Sequence, residues 1–128
     1  MILADTSVWV ELDRGQRGPL AERLLDAISD DTARYTEPVA MELLAGSGEA
    51  NKVRRLLGGI GRVHFERDHD FLAAGWIYRE CAKRGKAPRG FIDCLIAAVA
   101  IRSEVPLLAH DRDFGAIAEV AKLRLIAA

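Results

Sequence analysis

Acidic residues border or interrupt the most apolar segments of this 128-residue chain. The longest such segment, Cys94–Ile101, is an uninterrupted nonpolar run that directly follows Asp93. Burying it places the attached carboxylate at the edge of the core, where lost hydration costs several kcal/mol unless a positive charge replaces it. Four other acids stand in similar settings. The five candidate acids are Asp5, Glu42, Asp93, Asp111 and Asp113.

Carboxylates brought together in this way would repel one another unless a cation lay between them. Hard divalent cations take oxygen ligands and favour carboxylates. One or two such ions can activate water and stabilise both the attacking and the leaving oxygen of a phosphodiester. The pattern therefore predicts a metal-dependent enzyme that holds one or two Mg²⁺ or Mn²⁺ ions.

Short apolar segments alternate with helical patterns along the whole chain, which predicts a single α/β domain over residues 1–128 with a mainly parallel sheet. In such sheets, ligands bind beyond the carboxyl ends of the strands, so Asp5 and Asp111 are expected at one edge. The predicted strands are Met1–Asp5, Ala33–Thr36, Arg62–Phe65, Pro106–Ala109 and Arg124–Ile126. The predicted helices cover 8–12, 20–28, 37–46, 51–57, 68–83, 91–103 and 114–120.

Two helices carry further expectations. Thr6 or Ser7 is expected to cap the first helix. In the helix over 68–83, the inner side is expected to hold Phe71, Leu72, Trp76 and Ile77. Trp9 and Trp76 are interpreted as core or dimer contacts.

Four of the five candidate acids also have a purely structural explanation. Asp5 and Asp113 can cap helices, and Asp93 can stabilise the first turn of its helix. Glu42 can lie at the solvent edge of an apolar helix face. Of the last two acids, Asp111 is the favoured ligand, because Asp113 is well placed as an N-cap before Phe114.

The net charge of −1 argues against a generally basic nucleic-acid-binding surface. Without the five candidate acids, however, the rest of the chain is net positive. Basic residues cluster just before Asp93, where they can hold phosphates or can simply form a solvated helix end. This cluster comprises Arg79, Lys83, Arg84, Lys86 and Arg89.

The remaining features point to a cytoplasmic protein. No segment has the length or apolarity of a membrane span, and the N-terminus does not resemble a signal peptide. Cys81 and Cys94 have no metal-ligand spacing and are expected to be reduced, semi-buried thiols. The three histidines also lack zinc spacing, and His110 is expected in an exposed loop.

Four segments occur in an order that closely resembles the PIN-domain ribonucleases, in particular VapC-type toxins of VapBC toxin–antitoxin pairs. The resemblance covers the whole chain, and its strength lies in the ordered set rather than in any one motif. The segments are Ile2–Ser7 (ILADTS), Glu37–Glu42 (EPVAME), Arg89–Ala98 (RGFIDCLIAA) and His110–Phe114 (HDRDF).

This resemblance implies a three-layer α/β/α fold and Mg²⁺-dependent endonucleolytic cleavage of RNA. It implies catalytic roles for Asp5, Glu42, Asp93 and Asp111, and metal binding by Asp5, Asp93, Asp111 and Asp113. Thr6 or Ser7 matches a hydroxyl that orders the site, and Arg89 can contact phosphate or orient the site. One departure is Ala109, where a small hydroxyl residue is frequent.

The resemblance also implies a homodimer and a cognate VapB-type antitoxin, which together would form a heterotetramer or a larger assembly. The C-terminal segment of the antitoxin would cross the acidic groove. Three other interpretations stay open. The chain could be a non-catalytic PIN-like module that binds RNA or protein, a phosphatase, or a phosphotransfer receiver. The last two fit poorly, because Asp5-Thr6-Ser7 lacks a second acid near the first strand.

Overall fold

Five short strands form one sheet in the computed structural model, which describes residues 1–128. They run in the order β3-β2-β1-β4-β5, and all four pairings are parallel. The predicted α/β fold with a mainly parallel sheet is therefore confirmed. The strands are β1 (Ile2–Ala4), β2 (Ala33–Tyr35), β3 (Gly61–Arg62), β4 (Leu107–Leu108) and β5 (Leu125–Ile126).

Helices cover both faces of this sheet. The connections from β1 to β2 and from β2 to β3 move toward the β3 edge of the sheet. The connections from β3 to β4 and from β4 to β5 move toward the β5 edge. Because parallel crossovers are right-handed, α1–α4 lie on one face and α5–α7 on the other, which gives the expected three layers. No helix of the protein combines the length and the apolar composition that a membrane span requires. The helices are α1 (Thr6–Asp13), α2 (Pro19–Ser29), α3 (Glu37–Gly46), α4 (Ala50–Gly58), α5 (Arg67–Lys83), α6 (Phe91–Ser103) and α7 (Asp111–Val120).

The core lies between the sheet and the two helical layers. Leu3 on β1 and Leu107 and Leu108 on β4 are fully buried. Helix α6 is buried on several sides, as expected of a helix that is apolar all round. This packing fixes the first turn of α6, which carries Asp93, at the edge of the core.

The prediction for the inner side of α5 was largely wrong. Only Ile77 of the four expected residues is buried, whereas Phe71, Leu72 and Trp76 are 54–77% exposed. The actual inner face is formed by Asp70, Ala74, Ile77 and Cys81.

A buried charge explains the error. Asp70 is 0% exposed, and its two carboxylate oxygens accept hydrogen bonds of 2.9 Å from Arg102 on α6. This partner compensates the lost hydration of the carboxylate, so that an acid can occupy the inner face. Sequence periodicity assigns charged residues to the outer side of a helix. For α5 it therefore assigned the wrong residues to the inner side.

Other predictions were confirmed or needed small corrections. Trp9 is a core residue at 1% exposure, whereas Trp76 is on the surface. Cys81 and Cys94 are free, but they are fully buried rather than semi-buried. The third strand is shorter than predicted and shifted toward the N-terminus, ending at Arg62.

Candidate active site

The candidate site lies where the chain changes direction across the sheet. Strands β1 and β4 are neighbours at the centre, and the connections that follow them run to opposite edges. Such a switch point opens a crevice at the carboxyl ends of the strands. Asp5 directly follows β1, and Asp111 begins the helix after β4. Asp93 reaches the same region from the first turn of α6.

Asp5 is both a helix cap and a member of the acidic site. It is the N-cap of α1, and its carboxylate accepts hydrogen bonds from the Ser7 backbone amide (3.3 Å) and hydroxyl (2.7 Å). The prediction that Thr6 or Ser7 would cap this helix was wrong, since Thr6 is its first residue. Burial raises the pKa of Asp5, the Ser7 hydrogen bonds oppose this rise, and the charge of Asp113 adds to it.

Glu42 is half-buried on α3 and points toward α1. Its Oε1 accepts a hydrogen bond of 2.6 Å from the Thr6 hydroxyl. The alternative of a freely solvated Glu42 is therefore excluded. The two hydroxyls of the Thr6-Ser7 pair thus hold two different carboxylates.

Asp93 is the electrostatic centre of the cluster. Burial raises its pKa to about 7, and the negative charges of Asp5, Glu42 and Asp113 contribute to this rise. Arg89 acts in the opposite direction. Four carboxylates, from the end of β1, from α3, from α6 and from the start of α7, are thus close enough to influence one another. They do not converge into a closed group of three or more ligands.

Asp111 and Asp113 occupy different positions at the start of α7. His110 is the N-cap of this helix, so that the alternative of Asp113 as a cap is excluded. Asp113 is half-buried and acts on both Asp5 and Asp93. Asp111 is exposed, and its carboxylate lies over Gly115, where an added Cβ would be 2.7 Å from Oδ1. The structure therefore joins Asp113 to the other three acids and leaves Asp111 at the rim.

His110 connects the two helices that flank the site. The sequence placed it in an exposed loop, but it is half-buried and its Nε2 is hydrogen-bonded to Glu11 on α1. This contact holds the start of α7 against α1. Neither Glu11 nor its role had a sequence signal, because the two partners are 99 residues apart.

The basic cluster before Asp93 has a mixed role. Lys83 pairs with Glu80 at 2.9 Å and Lys86 with Glu119 at 3.2 Å, as expected of solvated surface residues. Arg89 instead lies beside Asp93 in a cleft of about 330 Å³. Arg112 lines the same cleft, and only its position between two candidate acids could have drawn attention to it.

Residues 2–120 match the PIN domain family. The chain is a PIN-domain protein. Within this family it is similar to VapC ribonuclease Mb1587 of Mycobacterium bovis and to ribonuclease VapC11 of Mycobacterium tuberculosis. Each is 38% identical over 129 residues, which cover 97% of this chain and 96% of the relative. This PIN-domain protein therefore belongs with the VapC ribonucleases.

Solved structures confirm the PIN fold. VapBC2 from Rickettsia felis, bound to a DNA fragment from its promoter, contains a chain that matches with a TM-score of 0.74 at 19% identity, over 100% of this chain and 99% of that one. DNA-bound VapBC from Salmonella typhimurium matches with a TM-score of 0.74 at 16% identity, over 98% and 96%. The family suggested by the four ordered segments is thus confirmed.

Proposed function

We propose that this PIN-domain protein is a Mg²⁺-dependent endoribonuclease and the toxin of a type II toxin–antitoxin system. The observation that carries the proposal is the coupling of Asp93 to three other carboxylates at the switch point of the sheet. Partly desolvated, mutually repelling acids in a cleft are typical of functional sites. The similarity to VapC ribonucleases supports RNA as the substrate.

The donor set fits a hard divalent cation because it consists of carboxylates that lack sufficient counter-charge. Asp5, Asp93 and Asp113 would hold the ion directly or through its bound waters, Glu42 would lie beside it, and Asp111 is a further candidate at the rim. Mg²⁺ keeps several waters and needs only one or two protein carboxylates, so that an open arrangement suits it. When bound, the ion supplies positive charge for the phosphate and makes water a better nucleophile at neutral pH.

Other side chains of the protein fix the reacting groups before the substrate arrives. Ser7 orients Asp5, Thr6 orients Glu42, and Arg89 offsets part of the negative charge at Asp93. Such preorganisation reduces the rearrangement that is needed to reach the transition state.

A second surface supports an antitoxin partner of the VapB type, the kind of partner present in the structurally similar complexes. A groove of about 470 Å³ runs between α1, α3 and α4, and one of its lining residues is Glu42 of the acidic site. Its apolar lining includes Trp9, Leu43 and Leu56. The Nε1 of Trp9 is buried and has no acceptor within the chain. We expect an antitoxin segment with apolar residues in the groove and a basic side chain at the carboxylates.

A third surface supports a homodimer. Phe71, Leu72 and Trp76 form an exposed apolar patch on α5, on the opposite face of the sheet from the groove. Contiguous exposed apolar patches of this kind mark protein contacts. A second copy of the chain is the partner that we propose for it.

Metal-dependent cleavage of RNA tests the enzymatic proposal directly. Antitoxin-free protein would be incubated with total cellular RNA in Mg²⁺, in Mn²⁺ and in excess chelator. Asp5→Asn and Asp93→Asn serve as inactive variants, and Asp26→Asn on the exposed face of α2 is the matched control. Circular dichroism would verify that every variant is folded.

We expect discrete RNA fragments from the wild-type protein and from Asp26→Asn, only when metal is present. RNA binding without cleavage by the folded, metal-loaded protein would contradict the proposal. That result would favour the alternative of a non-catalytic RNA-binding module.

A further inference from the structure

A cleft beside the acidic site contains cations as well as carboxylates. It has a volume of about 330 Å³, and its walls come from residues 86–93, before and at the start of α6, and from residues 112–116 of α7. Asp93 and Asp113 face it from opposite walls, and each wall also carries an arginine, Arg89 or Arg112. An RNA phosphate that approaches the acids through this cleft therefore passes between two guanidinium groups.

The three cations of the cleft differ in what they already bind. Lys86 is held by two contacts of 3.2 and 3.4 Å to Glu119. Arg89 is exposed and makes no hydrogen bond or ion pair with the rest of the chain. Arg112 is 78% exposed, and its one polar neighbour, Asp113 Oδ2, lies 3.7 Å from Nε, which is too far for a hydrogen bond. Two arginines are thus left with unused donors.

We propose that Arg112 and Arg89 bind RNA phosphates on the two walls of the cleft and so position the backbone across Asp93 and Asp113. This inference rests on the proposed ribonuclease function and adds to it the residues that hold the substrate. The planar guanidinium fork matches two phosphate oxygens better than a lysine ammonium does. Without these positive charges, four carboxylates would repel the phosphate backbone.

The rest of the cleft lining indicates what part of the RNA is recognised. Ala87, Pro88 and Ala116 complete the walls. They offer neither an aromatic face for base stacking nor a polar side chain that can read a base edge. The cleft therefore binds the backbone of any RNA strand, and the choice of target must depend on other surfaces.

The salt dependence of RNA binding tests this assignment separately from catalysis. A short fluorescein-labelled single-stranded RNA of mixed sequence would be titrated, in excess chelator, with protein carrying Asp93→Asn to prevent cleavage. In that background, Arg112→Gln, Arg89→Gln and the double variant would be compared. Arg124→Gln is the matched control, because Arg124 directly precedes β5. It therefore lies at the amino ends of the strands, whereas the acidic site lies at their carboxyl ends. The same substitutions would also be made in the protein that retains Asp93, and its RNA cleavage would give kcat and KM.

Each phosphate contact contributes about 0.7 to the slope of log affinity against log salt for single strands. We expect each cleft variant to reduce the slope by about 0.7, the double variant by about twice that, and Arg124→Gln not at all. KM should rise with little change in kcat. An unchanged slope for Arg112→Gln would overturn the assignment of Arg112 as a phosphate contact. If kcat also fell in that variant, Arg112 would orient Asp113 instead. If the slopes fall but the protein that retains Asp93 shows no metal-dependent cleavage, only the proposed ribonuclease function is contradicted.

Discussion

Thr6 at the start of α1 donates a hydrogen bond of 2.6 Å to Glu42 on α3, 36 residues further along the chain. The adjacent Ser7 donates to Asp5. Two successive hydroxyls thus position carboxylates that arrive from different parts of the sequence. The short apolar strand β1 sets this geometry, because it fixes the start of α1 at the carboxyl edge of the sheet.

Thr6→Val should lower ribonuclease activity about 10- to 100-fold, the usual cost of removing a residue that orients a ligand. Valine keeps the shape of threonine but leaves Glu42 without its donor. Thr6→Ser retains the hydroxyl and should recover most of the activity. Cleavage rates at saturating Mg²⁺ would be measured for both variants. Full activity of Thr6→Val, with a loss in Thr6→Ser instead, would show that packing of the methyl group, rather than the hydrogen bond, matters.

Asp93→Asn should stabilise the metal-free protein in a pH-dependent way. The pKa of Asp93 is about 7 in the folded state and close to 4 when unfolded, so folding costs progressively more as the pH rises from 4 to 7. The upper limit of this cost is about 4 kcal/mol, and partial solvent access reduces it to about 1–3 kcal/mol. The asparagine variant avoids this cost.

Urea unfolding in excess chelator at pH 5 and pH 8 measures the effect. The gain from Asp93→Asn should be larger at pH 8, whereas Asp26→Asn on the exposed face of α2 controls for the loss of one negative charge. A destabilised asparagine variant at both pH values would instead show that the Asp93 carboxylate has a structural role.

The sequence predicted the fold, and four of its five candidate acids lie near one another in the structure, but it did not predict the hydrogen-bond partners of these acids. Alternating apolar strands and helices predict the parallel sheet, and the nonpolar run after Asp93 predicts the bounds of α6. The contacts of Thr6 with Glu42 and of Glu11 with His110 depend on tertiary packing, which no local pattern encodes.

Buried charge limited the prediction of helix α5. Sequence periodicity cannot reveal that Arg102, 32 residues away, neutralises Asp70 and so allows it to face inward. As a result, the apolar outer face that forms the proposed dimer contact was mistaken for core.

The Asp70–Arg102 pair should contribute strongly to stability at neutral pH. Although burial raises the pKa of Asp70, hydrogen bonds from Arg102, Glu66 and His69 hold it below its usual value. The stabilisation is therefore fully present above about pH 4 and is lost as the pH falls through the folded-state pKa. Arg102→Leu removes the guanidinium partner of a buried carboxylate, which keeps only its contacts with Glu66 and His69, and should cost about 3–5 kcal/mol at pH 7.

Asp70→Asn tests the pH dependence of this pair. Its deficit in unfolding free energy relative to wild type should shrink between pH 6 and the lowest pH at which the wild type stays folded. A deficit that is independent of pH would indicate that lost packing, and not the ion pair, is responsible.

The exposed face of α5 predicts how two copies would pair. Its N-terminal end carries Asp68, its C-terminal end carries Arg79 and Lys83, and Leu72 and Trp76 lie between them. In a two-fold antiparallel contact centred between Gly75 and Trp76, Asp68 of one copy faces Lys83 of the other. Trp76 would then face Gly75, where no Cβ occupies the space.

Asp68→Lys and Lys83→Asp should each weaken the proposed dimer about tenfold, because each places like charges together at both symmetric ends. The double variant restores opposite charges and should recover dimerisation. Sedimentation equilibrium would measure the dissociation constants, with Lys122→Asp as a control outside α5. If the double variant is as weak as either single variant, this register is wrong.

Asp113→Asn should reduce cleavage more than Asp111→Asn does. The sequence favours Asp111 as a ligand, because Asp113 can be interpreted as a helix cap, but the cap is His110. Asp113 contributes to the raised pKa of Asp93, whereas the carboxylate of Asp111 lies over Gly115 on its own helix. Steady-state cleavage and Mn²⁺ affinity by calorimetry should both show the larger loss for Asp113→Asn.

Gly115→Ala adds a third test of this difference between the two acids, since the new methyl group must displace the Asp111 side chain. If that variant and Asp111→Asn lose as much activity and metal affinity as Asp113→Asn, then Asp111 is a full member of the site.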